Sequence, residues 1–202
     1  NEYNLNSHLV EYGGDHVSYL KPSHDLKSEY VFLNKSYYVS VSRAQPDNNL
    51  HLLLEAFSKI SDKNLVLVSN WDKFKYGVKL KKKYSTFDNI YIVDAIYDLS
   101  ILDVIRSNAK AYIHSHTYCG TAPSLVEAMN LGLPVISFRA DTNIKTTENK
   151  AKFFTTSDEL SMILKTITDS EIISLGDKMK EIADKRYSWK IISSKYSKLI
   201  NL

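Results

Sequence analysis

One segment of the 202-residue sequence is the most informative about structure: His114-Ser-His-Thr-Tyr-Cys-Gly-Thr-Ala-Pro-Ser-Leu-Val-Glu-Ala-Met-Asn-Leu-Gly-Leu-Pro-Val-Ile-Ser137. It follows the apolar run 109–114 and predicts a strand, a polar loop, a helix and a second strand. Pro123 stands where a proline is tolerated in the first turn of a helix. The loop therefore leads into a helix N-terminus, where unpaired N–H groups and the helix dipole favour phosphate. Glu127 follows one turn inside that helix, within reach of a group attached to the phosphate.

Short apolar runs alternate with helical patterns along most of the chain. The predicted strands are Tyr37–Ser42, Asn64–Ser69, Asn89–Asp94, Ala111–Ser115 and Leu133–Phe138. Residues 49–60 and 98–107 place their apolar side chains on one stripe, which is typical of amphipathic helices. Repeated strand–helix alternation indicates a parallel sheet covered on both faces. Right-handed crossovers then predict an α/β fold with a doubly wound, Rossmann-like parallel sheet.

The two ends of the chain lie outside this alternation. Near the start, Leu9–His16 predicts a short strand that runs into a glycine turn, followed by a polar tether. The end of the chain predicts three helices: one capped by Ser157, one that begins at Asp169 or Ser170, and a final one after Ser188.

Composition excludes several classes of protein. With 44% hydrophobic residues the chain can bury one sizeable core. Its 26 basic and 23 acidic residues leave a net charge of only +3, which implies no general attraction to nucleic acid. The single cysteine, Cys119, excludes an internal disulfide framework and favours a reducing compartment. No apolar run approaches the roughly 18 residues of a membrane span, and the start is no signal peptide.

Polar loops follow the predicted strands, and in an open parallel sheet such loops surround the ligand. After the first strand, Arg43 is a candidate to pair with a diphosphate, or else a surface arginine beside a capping Asp47 or Asn48. After the second strand comes Asn70, and after the third comes Tyr97. Tyr97 either walls a nucleobase or belongs to a structural turn in which Asp98 caps the next helix.

The fourth loop contains His114, His116 and Cys119, which suggest a metal site only weakly because no carboxylate joins them at ligand spacing. Cys119 has no partner arrangement that would make it a nucleophile. The fifth loop adds Arg139-Ala-Asp-Thr-Asn143 to the same rim. Converging polar loops favour a ligand cleft over separate surface features.

Taken together, these residues resemble the C-terminal, nucleotide-sugar-binding half of retaining, family-four-type glycosyltransferases, which have two Rossmann-like domains (the GT-B architecture). The resemblance covers nearly the whole chain. It rests on Val41-Ser-Arg43 with Pro46, on Pro123-Ser-Leu-Val-Glu127-Ala-Met, and on Gly132-Leu-Pro-Val-Ile. Within the family, the sequence is most similar to bacterial rhamnosyltransferases of capsule and O-antigen synthesis. Tyr12-Gly-Gly-Asp15 and the run from His116 to Glu127 support that likeness.

The sequence departs from the family pattern in two places. Many members have two glutamates with seven residues between them, and here the first of these positions is Cys119. A lysine often follows the arginine of the first loop, and here Asn48 and Asn49 take its place. The usual contacts to the sugar and the diphosphate are therefore changed.

The resemblance assigns roles to individual residues. Glu127 is expected to accept hydrogen bonds from the ribose, and Arg43 to neutralise the diphosphate, and these two are the expected catalytic residues. The donor-binding residues implied are Arg43, Asn48, Asn70, Tyr97, His116, Cys119, Gly120, Thr121, Ala122, Ser124 and Glu127. No metal-ligand set is visible, so transfer without a metal or cofactor is expected.

The function implied is transfer of a sugar, rhamnose from a nucleoside-diphosphate donor, to a saccharide or lipid-linked acceptor, with retention, in bacterial surface polysaccharide synthesis. Residues 1–35 are expected to end an acceptor domain and connect it to the donor-binding domain, 36–187. Residues 188–202 are expected to pack back as a C-terminal helix. The acceptor domain would precede Asn1, so the chain alone is expected to be inactive. The expected location is the cytoplasm, at the inner membrane face for a lipid-linked acceptor. A non-catalytic nucleotide-binding module and a nucleotide-sugar epimerase are the alternatives.

Overall fold

The computed structural model describes residues 8–200. The first seven residues of the expected interdomain connection and the last two of the expected C-terminal segment lie outside the described residues. Six parallel strands form one sheet: β1 (Tyr37–Val41), β2 (Asn64–Ser69), β3 (Ile90–Asp94), β4 (Ala111–His114), β5 (Val135–Phe138) and β6 (Lys152–Phe154). Their order is β3-β2-β1-β4-β5-β6, with Val39 of β1 opposite Val66 on one side and Tyr112 on the other. This is the strand order of a doubly wound sheet. The direction in which successive strands are added reverses between β1 and β4.

Helices fill the connections between strands. They are α1 (His24–Glu29), α2 (Leu50–Ser58), α3 (Lys75–Tyr84), α4 (Leu99–Ser107), α5 (Pro123–Asn130), α6 (Asp141–Thr146), α7 (Ser157–Thr166), α8 (Asp169–Arg186) and α9 (Trp189–Ile200). Short 3₁₀ helices cover Val31–Asn34, Pro46–Asn48 and Trp71–Lys73. Among the described residues, none of these helices has the length and apolar content needed to cross a membrane.

The sheet is buried on both faces. Tyr37 and Val39 point to a core shared with α4, α5 and α8, and Tyr38 points to a second core shared with α2, α3 and α7. Successive residues of a strand face opposite sides of the sheet, so each strand contributes to both cores. This arrangement confirms the α/β fold predicted from the alternation of strands and helices.

The five predicted strands are confirmed to within two residues at each end. The strand predicted at Leu9–Asp15 is wrong, because this segment pairs with no strand. Gly14 N–H instead donates to the carbonyl of Tyr187 at 2.7 Å, and a Cβ on Gly13 would stand 2.7 Å from the Trp189 side chain. The glycines therefore let the segment run closely against helical elements.

The helix starts agree with the sequence except at one predicted cap. Pro123 occupies the first position of α5, and Asp98 caps α4 by accepting from Ser100 N–H at 2.9 Å. The predicted cap Ser157 is wrong: Thr156 caps α7. The next helix, α8, begins at Asp169 as predicted, and Thr168 caps it in a capping box with Glu171.

Candidate functional site

A cleft lies at the carboxyl ends of β1 and β4, where the strand order reverses. Open α/β sheets bind ligands at this switch point. The cleft encloses about 410 Å³. Nine of the eleven predicted donor-binding residues line it: Arg43, Asn48, His116, Cys119, Gly120, Thr121, Ala122, Ser124 and Glu127. A larger groove of about 590 Å³ lies beside edge strand β3, two strands away from the switch point.

The N-terminus of α5 faces the cleft. Its N-cap is Ala122, which has no side-chain acceptor, and Pro123 occupies the first helical position. The first N–H groups of the helix are thus left without a capping side chain. Gly120 precedes them, and no atom lies within 4 Å of the point where a Cβ on it would stand. A phosphate approaching this loop would meet N–H donors and the positive end of the helix dipole.

The loop after β1 brings a cation to the opposite wall. Arg43 is exposed and lines the cleft. Asn48 is buried, and its side-chain N–H donates to the Arg43 carbonyl at 2.8 Å. Asn49 adopts a left-handed conformation with φ 51° and is the N-cap of α2, so the alternative in which Asp47 or Asn48 caps this helix is wrong. Asn48 shapes the loop that presents Arg43, and its contact with a ligand stays a prediction.

The structure does not bring two of the predicted donor-binding residues to the cleft. Asn70 lies after β2, where its side-chain oxygen accepts from the N–H of Ala44 at 2.9 Å. It supports the loop that contains Arg43 from behind. Tyr97 lies after β3 and is 87% exposed, outside the cleft lining.

Two histidines and the cysteine of the fourth loop form a compact cluster beside the cleft. The ring centroids of His114 and His116 are 4.3 Å apart, and ligand atoms of these two side chains and Cys119 all lie within 4.8 Å of one another. Burial lowers the pKa of His114 well below its ordinary value and that of His116 to about 4, and it raises the pKa of the Cys119 thiol. At neutral pH the cluster is therefore uncharged. Asn143 anchors the loop by donating to the His116 carbonyl at 2.9 Å.

Glu127 reaches the cleft from the first turns of α5, and Arg106 and His16 contact its two carboxylate oxygens. Its Oε2 lies 2.5 Å from a terminal nitrogen of Arg106, and its Oε1 lies 3.2 Å from Nε2 of His16. Arg106 also lies 3.7 Å from Asp103. Only 11% of the Glu127 side chain is exposed, so a ligand would meet a carboxylate that is already fixed in place.

The roles of Arg106 and His16 could not be predicted from the sequence. Arg106 stands in the last turn of α4, where a basic side chain normally faces solvent and the helix dipole. The one sequence signal is that its neighbours are the apolar residues Val104 and Ile105, which are buried in the structure. His16 ends the motif Tyr12-Gly-Gly-Asp-His16, but its contact with Glu127 depends on the tertiary fold.

The arrangement suits an anionic ligand with a hydroxyl-bearing group next to it. Arg43 and the N-terminus of α5 supply positive potential, while His116 is neutral and contributes none. Glu127 supplies an acceptor one turn further along α5. A phosphate attached to a sugar has this combination of charge and hydroxyl donors.

Comparisons with known proteins agree with this geometry. A family model described as "Glycosyl transferases group 1" matches residues 24–186, well over half of the chain. No match was found among curated protein sequences.

Solved structures share the fold over most of the chain. Sucrose-phosphate synthase from Thermosynechococcus elongatus has a TM-score of 0.76 at 20% identity, covering 96% of this chain and 52% of its own. HepE of Anabaena, in complex with UDP-glucose, has a TM-score of 0.74 at 17% identity, covering 90% and 54%. The C-terminal domain of LpcC, a glycosyl transferase group 1 family protein from Francisella tularensis, has a TM-score of 0.62 at 14% identity, covering 85% and 97%.

The chain thus spans about half the length of the first two of these proteins and nearly all of the third, an isolated C-terminal domain. At these identities the likeness shows the fold, which is the Rossmann-like domain of GT-B glycosyltransferases.

Proposed function

Because the chain belongs to the glycosyl transferases group 1 family, we propose that its cleft binds a nucleoside-diphosphate sugar as the donor of a glycosyl transfer. One observation carries the proposal: at the switch point, the uncapped N-terminus of α5 and the carboxylate of Glu127 lie one turn apart on the same cleft wall. The fold relative HepE was solved with UDP-glucose, a ligand of this class.

Different cleft residues bind different parts of the donor. Backbone N–H groups around Gly120, Thr121 and Ala122, with the Ser124 hydroxyl, bind the distal phosphate, and Arg43 neutralises the diphosphate. This phosphate is the leaving group, so it gains charge as the glycosidic bond breaks. Donors fixed in advance at such a position each contribute roughly 3–4 kcal/mol in other enzymes.

Glu127 binds the other end of the nucleotide. Its carboxylate accepts hydrogen bonds from the ribose hydroxyls, or from the single 3′-hydroxyl of a deoxythymidine donor. A hydrogen bond to a charged acceptor is stronger than one between neutral groups. Glu127 therefore selects nucleotides over simple phosphates.

The donor sugar that the sequence resemblance favours is rhamnose, transferred with retention to a saccharide or lipid-linked acceptor during surface polysaccharide synthesis at the cytoplasmic membrane face. We propose that this acceptor binds to a second domain, since relatives of the same fold are about twice as long as this chain. Transfer is proposed to need no metal, because Arg43 and the helix N-terminus supply the positive charge that the diphosphate requires.

The test is calorimetry with thymidine, uridine and guanosine diphosphates and their sugars, each with and without EDTA. We expect one nucleotide series to bind, equally well with EDTA, and Glu127→Ala to weaken that binding about ten- to a hundredfold, the loss of hydrogen bonds to a charged group. Glu127→Gln is measured in parallel, since it keeps the volume of the side chain.

The matched control is Glu11→Ala. Glu11 is also a buried carboxylate held by cations, Arg186 and Lys195, and it does not line the cleft. Its removal should leave nucleotide affinity unchanged. If no nucleotide binds, or if both alanine variants bind alike, the site assignment is wrong. Binding that EDTA abolishes and Zn²⁺ restores would instead assign a metal to the cluster of His114, His116 and Cys119.

A further inference from the structure

Arg106 is the most deeply buried cation that contacts a cleft residue. It is 4% exposed in the last turn of α4 and does not itself line the cleft. One terminal nitrogen lies 2.5 Å from Oε2 of Glu127, and the other lies 3.7 Å from Oδ1 of Asp103. Two helices that cover the same face of the sheet, α4 and α5, are thus joined through one guanidinium.

Charge balance explains why a cation stands at this position. Glu127 and Asp103 are both buried, and an unpaired carboxylate in such surroundings is strongly disfavoured. A guanidinium is planar, always charged and offers its N–H groups in fixed directions. It compensates the charge of both carboxylates and holds that of Glu127 by close contact. Asp103 has a second partner, because its Oδ2 accepts from the N–H of Ser18 at 2.9 Å.

The contact leaves the other oxygen of Glu127 for the cleft. Oε2 is engaged by Arg106, while Oε1 lies 3.2 Å from Nε2 of His16, a side chain that is one third exposed. Arg106 is buried, so its contact with Oε2 is permanent. His16 is partly exposed, so a ligand hydroxyl is able to join or replace its contact with Oε1.

We propose that Arg106 is a positioning residue for donor binding: it fixes the Glu127 carboxylate in the orientation that accepts hydrogen bonds from the ribose. This inference rests on the proposed function, because it concerns the same cleft. It predicts that loss of Arg106 affects ligands that have a ribose and spares ligands that have only the phosphates.

The test compares two ligands, uridine diphosphate (or the nucleoside diphosphate that the parent prefers) and inorganic pyrophosphate, in the full chain. Arg106→Met should weaken nucleotide binding about tenfold or more, the loss of a hydrogen bond to a charged group, with pyrophosphate binding unchanged. Arg106→Lys keeps the charge without the paired N–H groups and should recover part of the preference for nucleotide.

Arg186→Met is the matched control, because Arg186 also pairs with a carboxylate, that of Glu11, and neither residue lines the cleft. It should leave the preference for nucleotide over pyrophosphate intact. Where Arg106→Met does not fold, Arg106→Lys provides the test, since its preference should still fall below that of the parent.

Two results would overturn the inference. One is an unchanged preference for nucleotide in the Arg106 variants, and the other is an equal loss of both ligands, which indicates a role in general packing. A parent chain that binds no nucleoside diphosphate at all would instead refute the proposed function. The two failures are therefore distinguishable.

Discussion

His116 and His114 are neutral imidazoles in contact, one at the cleft wall and one fully buried beneath it. Nδ1 of His114 and Nε2 of His116 are buried and have no hydrogen-bond partner among the described residues. Burial is the largest cause of both lowered pKa values. At His116 the Asp47 charge raises the pKa and the Arg43 charge lowers it, and burial outweighs both. A proton on either ring would place a charge where water cannot reach it.

These two histidines make the free energy of unfolding depend on pH. The pKa of His116 is about 4 when folded against an ordinary value of 6.5, so the unfolded chain takes up a proton first as the pH falls. Stability is therefore present above pH 6.5 and is lost between pH 6.5 and 4. Between pH 7.5 and 5 the parent should lose about 2 kcal/mol more than His116→Gln.

Urea unfolding at the two pH values measures this difference. His8→Gln, at an exposed position outside the cleft, is the control and should follow the parent. His114 remains in all three proteins, but His116 also contributes to its lowered pKa, so the difference between the parent and His116→Gln reports the pair of histidines. Equal losses in the parent and His116→Gln would contradict the burial of a neutral His116.

At the scale of elements, the segment that precedes α1 packs closely against α5 at Gly14. A Cβ at Gly14 would stand 2.7 Å from backbone atoms of Val126, in the middle of α5. Because backbone moves less readily than a flexible side chain, Gly14→Ala should lower the free energy of unfolding by about 1–3 kcal/mol, the usual cost of overpacking.

Gly120→Ala is the control for that substitution. No atom lies within 4 Å of its added Cβ, and Gly120 does not have a positive φ. Its free energy of unfolding, measured by the same urea titration, should stay within about 0.5 kcal/mol of the parent. Equal effects of the two alanines would mean that Gly14 is not in close contact with α5.

Elements with a long, regular pattern were predictable, and those defined by tertiary contacts were not. Strand β6 has only the residues Lys152–Phe154, too few to show a strand pattern. The Leu9–Asp15 segment has the residues of a strand, but its backbone bonds to a helix end instead of a neighbouring strand. Arg106 could not be identified as buried, because its burial depends on carboxylates from two helices.

At the scale of the whole molecule, the topology explains which candidate residues meet. The loops after β1 and β4 converge because these strands are neighbours at the reversal of strand order. The loops after β2 and β3, which contain Asn70 and Tyr97, lie one and two strands further out. A sequence shows that each loop follows a strand, but the distance of that strand from the switch point depends on strand order.

Donor binding and sugar transfer should separate in this chain. It spans about half the length of two fold relatives, sucrose-phosphate synthase and HepE, and all the donor contacts proposed above come from its own residues. A sugar acceptor must be held against the donor for transfer, and proximity of the two reactants provides much of the rate. The 202-residue chain by itself should therefore bind the nucleoside diphosphate and transfer no sugar.

A coupled measurement tests this: calorimetry with the diphosphate, and product analysis after incubation with nucleotide sugar and a saccharide acceptor. The same mixtures without the protein provide the blank for both. Binding without product above the blank is the expected result, since the chain supplies a donor site and we propose that the acceptor site belongs to a second domain. Glycoside product above the blank would show that these residues also bind the acceptor, and free sugar with no glycoside would show that water reaches the donor in the open cleft.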